Sequence, residues 1–108
     1  MKGICLSFYV YEFQKHQGIL LYEYLLETAK KIGIAGGTAM KAVAGFGHLG
    51  KLHEEQFWET ASNVPIEVRF FLSEELSKDL FHCLEKEQLN LFYSQVDAQY
   101  GVLSAVQS

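Results

Sequence analysis

Basic residues run out toward the C-terminal end: from Leu91 to Ser108 there is neither lysine nor arginine. Over all 108 residues, nine basic side chains face thirteen acidic ones, for a net charge of -4. A balance of that sign removes the sequence-independent grip on nucleic acid, which needs a basic surface. Cysteine is scarce too. Cys5 and Cys83 have neither paired spacing nor a secreted context, so packed free thiols are expected rather than a disulfide. No apolar run approaches the ~18 residues of a spanning helix, so no direct membrane insertion is expected. The opening residues lack a signal-peptide pattern, because Glu12 and Lys15 interrupt any apolar stretch, and the chain reads as cytoplasmic. No Ser/His/Asp signature and no evident nucleophile beside a base appear, so no catalytic residue is assigned and an enzyme is the minority reading.

What the chain does have is apolar and aromatic weight. Hydrophobic residues make up 49%, with Phe 8, Tyr 6 and Trp58. That is enough for one core, and residues 1–108 read as a single domain. Gly3 to Tyr11 alternates with period two: Ile4, Leu6, Phe8 and Val10 on one face, Cys5, Ser7, Tyr9 and Tyr11 on the other. This is a strand. Glu12 to Gly18 reads as a polar connection in which His16 faces solvent. A helix is expected from about Ile19 to Ile32, its stripe formed by Tyr22, Leu25, Leu26, Ala29 and Ile32, with Gly33 just past its end.

Ile34 to Ala44 is a weaker strand, because Gly36, Gly37 and the alanines have little β-propensity. Small side chains there also fit a place where something packs very close. Val64 to Leu72 alternates again, with Ile66, Val68, Phe70 and Leu72 facing one way and Glu67, Arg69 and Phe71 the other. Ser73 is a good N-cap, with Glu74 and Glu75 in the first turn of a helix that runs to about Glu87 and turns Leu76, Leu80, Cys83 and Leu84 inward. His82 reads as solvent-facing. A last strand is expected from Leu91 to Ala98, and a small-residue tail follows.

The order β-α-β-β-α-β is an α+β, ferredoxin-like arrangement: a four-stranded antiparallel sheet with two helices on one face. The other face then carries Cys5, Tyr9, Tyr11 and Phe71, interleaved with Glu67 and Arg69. Burial against further copies of the chain explains such a wall better than exposure to water. Between the second and third main strands lies a connection of roughly 17–20 residues, far longer than a hairpin needs, and loops of that length are usually functional or disordered.

Three stretches resemble a known family. His16-Gln17-Gly18-Ile19-Leu20-Leu21-Tyr22-Glu23, Gly33-Ile34-Ala35-Gly36-Gly37-Thr38 and Gly45-Phe46-Gly47 occur in the order seen in small PII-like proteins grouped as domain-of-unknown-function family 190. Gly45 to Lys51 and Val64 to Glu75 also resemble the corresponding turn, strand and helix start of PII signalling proteins. The resemblance implies a homotrimer with its sheets toward the three-fold axis. It implies an adenine nucleotide in clefts between subunits, with the 47–63 loop signalling to a partner protein, a membrane transporter among the candidates. AMP, ADP and ATP are the effectors to consider, and no cofactor is required. Two readings stand beside it: a trimeric metal-binding or metal-tolerance protein of the same fold, and a small-molecule enzyme.

The ligand-contact candidates are Gly45, Phe46, Gly47 and His48, with Lys41, Lys51 and Arg69 as the nearby cations. Glycines there free backbone N–H groups to face an anion, or simply allow a tight strand exit. The plain alternative for Lys41 and Lys51 is a solvated charge, and for Arg69 an inter-subunit pair with Glu67. The chain departs from the PII pattern in having Lys86-Glu87-Gln88-Leu89-Asn90 where a Gly-rich basic segment is usual, and no cation later on. So few cations suit a mono- or diphosphate better than a triphosphate. The loop lacks the tyrosine that PII proteins modify. Phe57 and Trp58 are its candidate partner-binding pair, and Glu54, Glu55 and Glu59 favour a basic partner. His48 and His53 are spaced by five, which does not place them on one helical face, so no metal site is assigned.

Overall fold

A computed structural model of the chain describes residues 1–47 and 64–105. The elements are β1 (Lys2–Tyr11), β2 (Lys15–His16), β3 (Ile19–Leu20), α1 (Leu21–Lys31), β4 (Gly37–Lys41), β5 (Pro65–Leu72), α2 (Glu74–Lys86) and β6 (Phe92–Gln99). The main sheet has the order β4-β5-β1-β6, and every neighbouring pair is antiparallel. This is the expected four-stranded sheet with both helices against one face.

Alternation decides which face is buried. Ile4, Leu6, Phe8 and Val10 are at most 3% exposed, and from β5 Val68, Phe70 and Leu72 are at most 2% exposed. Leu21, Leu25 and Ala29 of α1 and Leu80 and Leu84 of α2 close over them. Phe8 sits at the centre, its ring 6.5 Å from Phe70, 5.9 Å from Phe81 and 6.3 Å from Tyr93.

The helix ends follow from local chemistry. Gly33 has φ +99. Its N–H donates to the Lys30 carbonyl and the Ile34 N–H reaches back to Ala29, which is the Schellman arrangement. The Ser73 hydroxyl accepts the Leu76 N–H at 3.1 Å as the N-cap of α2. Ser73→Ala is expected to cost about 1 kcal/mol, read by chemical denaturation, while Ser73→Asp keeps the cap.

Three expectations need correction. The polar connection 12–18 contains a miniature hairpin, β2 against β3. Gln17 and Gly18, with φ 53 and 86, form its two-residue turn, a type I′ geometry. Its effect is to start α1 at Leu21 rather than Ile19. Leu20 offers no capping side chain; the Leu21 N–H instead donates to the Gln14 carbonyl at 2.7 Å. Second, His16 does not face solvent: its side chain is 14% exposed, and Nε2 lies 3.1 Å from Glu87 Oε1. Its ring stands edge-on to Tyr24 at 4.6 Å. Third, the strand expected over 34–44 is confined to Gly37–Lys41. The close packing expected of its small residues is real: a Cβ on Gly37 would lie 2.4 Å from the Phe70 ring. Gly37→Val is expected to destabilise the fold by about 1–3 kcal/mol through forced overpacking, measurable as a lowered denaturation midpoint. Cys5 and Cys83 are free and half-buried, and His82 is exposed as expected.

Candidate functional site

The register sorts the uncovered sheet face into rows. Phe71, Cys5 and Val96 lie side by side across β5, β1 and β6; Thr38, Arg69, Ser7 and Ser94 form the next row; Met40, Glu67, Tyr9 and Phe92 the next. Two rows rich in apolar groups thus flank a polar one. Phe71 is 45% exposed, Phe92 44% and Val96 60%. In the polar row, Arg69 Nε and a terminal nitrogen donate to Glu67 Oε2 at 3.0 and 2.8 Å, and the Ser7 hydroxyl donates to the same oxygen at 2.9 Å. Glu67, by hydrogen bond first and charge second, raises the Arg69 pKa, so the guanidinium stays charged. The Arg69–Glu67 pair is therefore satisfied within one chain.

The other candidates gather at one end of the sheet, where β4 leaves and β5 begins. The Glu12 N–H donates to the Val64 carbonyl and the Ala42 N–H to the Pro65 carbonyl, each at 2.9 Å. These bonds hold the two stems of the long connection beside the end of β1. Gly45 packs over Pro65, since a Cβ there would sit 3.1 Å from the proline ring. Gly47 has φ +83, a left-handed conformation that glycine adopts without strain. Each glycine thus has its own reason: close approach at Gly45, backbone conformation at Gly47. Between them Phe46 is 87% exposed.

Lys41 belongs to this corner. Its register partner is Ile66, a core residue, so Lys41 projects on the helix side of the edge strand while Arg69 projects on the opposite face. Its Nζ lies 3.2 Å from Glu12 Oε2. The other Glu12 oxygen, Oε1, is enclosed and has no hydrogen-bond partner among the described residues. The structure therefore brings Lys41, Gly45, Phe46 and Gly47 to one corner and sets Arg69 apart. His48, Lys51, Phe57 and Trp58 lie outside the described residues. No group of three or more His, Cys, Asp or Glu that could hold a metal occurs among the described residues, and the His48/His53 pair lies outside them.

Two features were not visible in the sequence. Glu12 follows the first strand with no motif linking it to Lys41. Glu87, at the end of α2, receives both His16 and the Gln17 amide, which donates at 3.1 Å; only the fold joins those positions. A cavity of about 420 Å³ lined by Lys2, Ile4, Glu74, Asp97 and Gln99 opens at the opposite end of the sheet, away from this corner.

The sheet order and helix placement are those of the ferredoxin fold, and PII-like members of that fold superpose on the chain. A PII-like signaling protein from Thermus thermophilus superposes with TM-score 0.59 at 18% identity, over 90% of this chain and 86% of that one. CPII, a nitrogen regulatory PII-like protein from Thiomonas intermedia K12 whose structure holds ADP, AMP and bicarbonate, superposes with TM-score 0.58 at 14% identity, over 94% and 98%. Within that fold the chain belongs to the family DUF190, described as Uncharacterized ACR, COG1993, whose model matches residues 3–90. A UPF0166 protein from Aquifex aeolicus is 32% identical over 72% of this chain and 74% of its own length. UPF0166 protein MJ1524 from Methanocaldococcus jannaschii is 30% identical over 61% of this chain, which spans 60% of that protein.

Proposed function

We propose that residues 1–108 act as one PII-like regulatory domain in the cytoplasm, without catalysis. Three copies turn their uncovered sheet faces toward one another, and an adenine nucleotide binds in the clefts so formed. The 47–63 loop, with Phe57 and Trp58, carries the bound state to a partner protein, for which a membrane transporter is the working candidate. The observation that carries this reading is the corner at Lys41 and Gly45–Gly47. There the stems of the long connection are bonded together, and Gly45–Gly47 follow within a few residues of the strand end that carries Lys41, in a fold that CPII uses with ADP and AMP bound. Trimeric assembly is supported by the resemblance to PII proteins and by the apolar rows of the uncovered face, since exposed apolar patches of that kind usually mark interaction surfaces.

The described cations at the corner are few. Lys41 is already paired, and no basic residue follows Leu91. A triphosphate needs more positive partners than this. Titration calorimetry against AMP, ADP, ATP and cyclic AMP tests the reading: AMP or ADP is expected to bind more tightly than ATP. No heat for any of the four would overturn the nucleotide assignment.

A further inference from the structure

Lys41, the one described cation at the corner, is held by a carboxylate, and that carboxylate cannot move away easily. Glu12 is fixed through its own backbone, because its N–H donates to the Val64 carbonyl at 2.9 Å. Its side chain is only 21% exposed, and Oε2 holds Lys41 at 3.2 Å. Oε1 is enclosed with no partner among the described residues, so among those residues the carboxylate's charge is answered on one oxygen only. Any anion that reaches the Gly45–Gly47 turn meets a Lys41 whose field Glu12 largely cancels. It also meets Glu12 itself, whose repulsion grows with each negative charge the ligand brings.

We infer that Glu12 is a specificity-determining residue that grades ligands by charge, disfavouring a triphosphate relative to a monophosphate at the same corner. The inference rests on the nucleotide reading above and supplies the residue behind its expected order of affinity. It also assigns the Lys41–Glu12 pair a role as an internal competitor: the carboxylate occupies the cation that a phosphate would use. The magnitude follows from Coulomb's law. At ~10 Å in a water-like dielectric, one carboxylate weakens binding about twofold for each ligand charge. AMP carries about two negative charges and ATP about two more, since each added phosphate contributes at least one. The ATP-to-AMP affinity ratio should therefore rise about fourfold when the Glu12 charge is removed.

The test is calorimetry with magnesium-free AMP, ADP and ATP on the wild-type chain, Glu12→Gln and Lys41→Gln, with thermal melting to establish that each variant folds. Glu12→Gln is expected to bind all three more tightly, ATP most, and Lys41→Gln to bind all three more weakly. The rise in the ATP-to-AMP ratio on going from wild type to Glu12→Gln should shrink as salt increases, because screening weakens the Glu12 charge. An unchanged ratio in a folded Glu12→Gln variant overturns the inference and leaves the nucleotide reading standing. No heat for any ligand with either wild type or Glu12→Gln overturns both. Heat with Glu12→Gln alone overturns the nucleotide reading of the natural chain and, with it, the inference that rests on that reading.

Discussion

Phe8→Ala is expected to lower the stability of the chain by about 3–5 kcal/mol, the range for truncating a buried aromatic. Phe8 is 1% exposed, and its ring meets residues of β5, α2 and β6. It is the point where the sheet and the second helix are joined. A cavity there cannot collapse without moving three elements, so the loss belongs at the upper end of the range. Domains of this size have ~5–15 kcal/mol of total stability, and the melting temperature should fall by roughly 15 °C or more. Phe8→Leu, which refills most of the volume, should cost far less. The neighbouring Tyr9 supplies the contrast, because it lies on the uncovered face. Tyr9→Ala should act through assembly, so its effect on melting should depend on protein concentration, whereas that of Phe8→Ala should not. A concentration-independent loss for Tyr9→Ala as large as that of Phe8→Ala would contradict the assignment of faces.

Phe71→Glu and Val96→Glu are each expected to dissolve the proposed three-chain assembly while leaving the chain folded. The two side chains flank Cys5 in one row of the uncovered face, and at 45% and 60% exposure they have room for a carboxylate in the single chain. Once the face is covered, that carboxylate has no water, and Arg69 in the adjoining row is already held by Glu67. An uncompensated buried charge costs about 3 kcal/mol or more, which is at least ~100-fold in an association constant. Around a symmetry axis the same charge also meets its own copies. Light scattering should give a single-chain mass for both variants, with circular dichroism unchanged. Phe71→Tyr, which keeps the ring, should remain assembled. Variants that stay assembled would place the contact between copies on some other surface.

Period-two alternation makes the central strands readable from the sequence, because Ile4 to Val10 and Ile66 to Leu72 each place their apolar residues on a single face. The same alternation exposed the second face as an unexplained wall. Ser73 and Gly33 marked helix ends through chemistry confined to a few neighbouring residues. What escaped was either very short or joined only by the fold. The β2–β3 hairpin has two residues on each side, too few for a periodic pattern, and its turn places Gln17 at positive φ where asparagine or glycine is the usual signal. His16 reads as a surface residue until α2 brings Glu87 beside it. The second strand is confined to Gly37–Lys41, shorter than the expected Ile34–Ala44, in line with the low β-propensity of its glycines and alanines; within it Gly37 leaves room for Phe70. At the corner, the glycines and Lys41 could be chosen from the motif. That Glu12 holds Lys41, and that Arg69 lies on the other face paired with Glu67, depended on strand register and on where β1 ends.

The most direct test is the mass of the unmodified chain in solution, measured by light scattering across a dilution series. Copies that shield their tyrosine- and phenylalanine-bearing sheet faces predict a particle of three chains that persists on dilution. A monodisperse particle of one chain at every concentration would contradict the account at its centre.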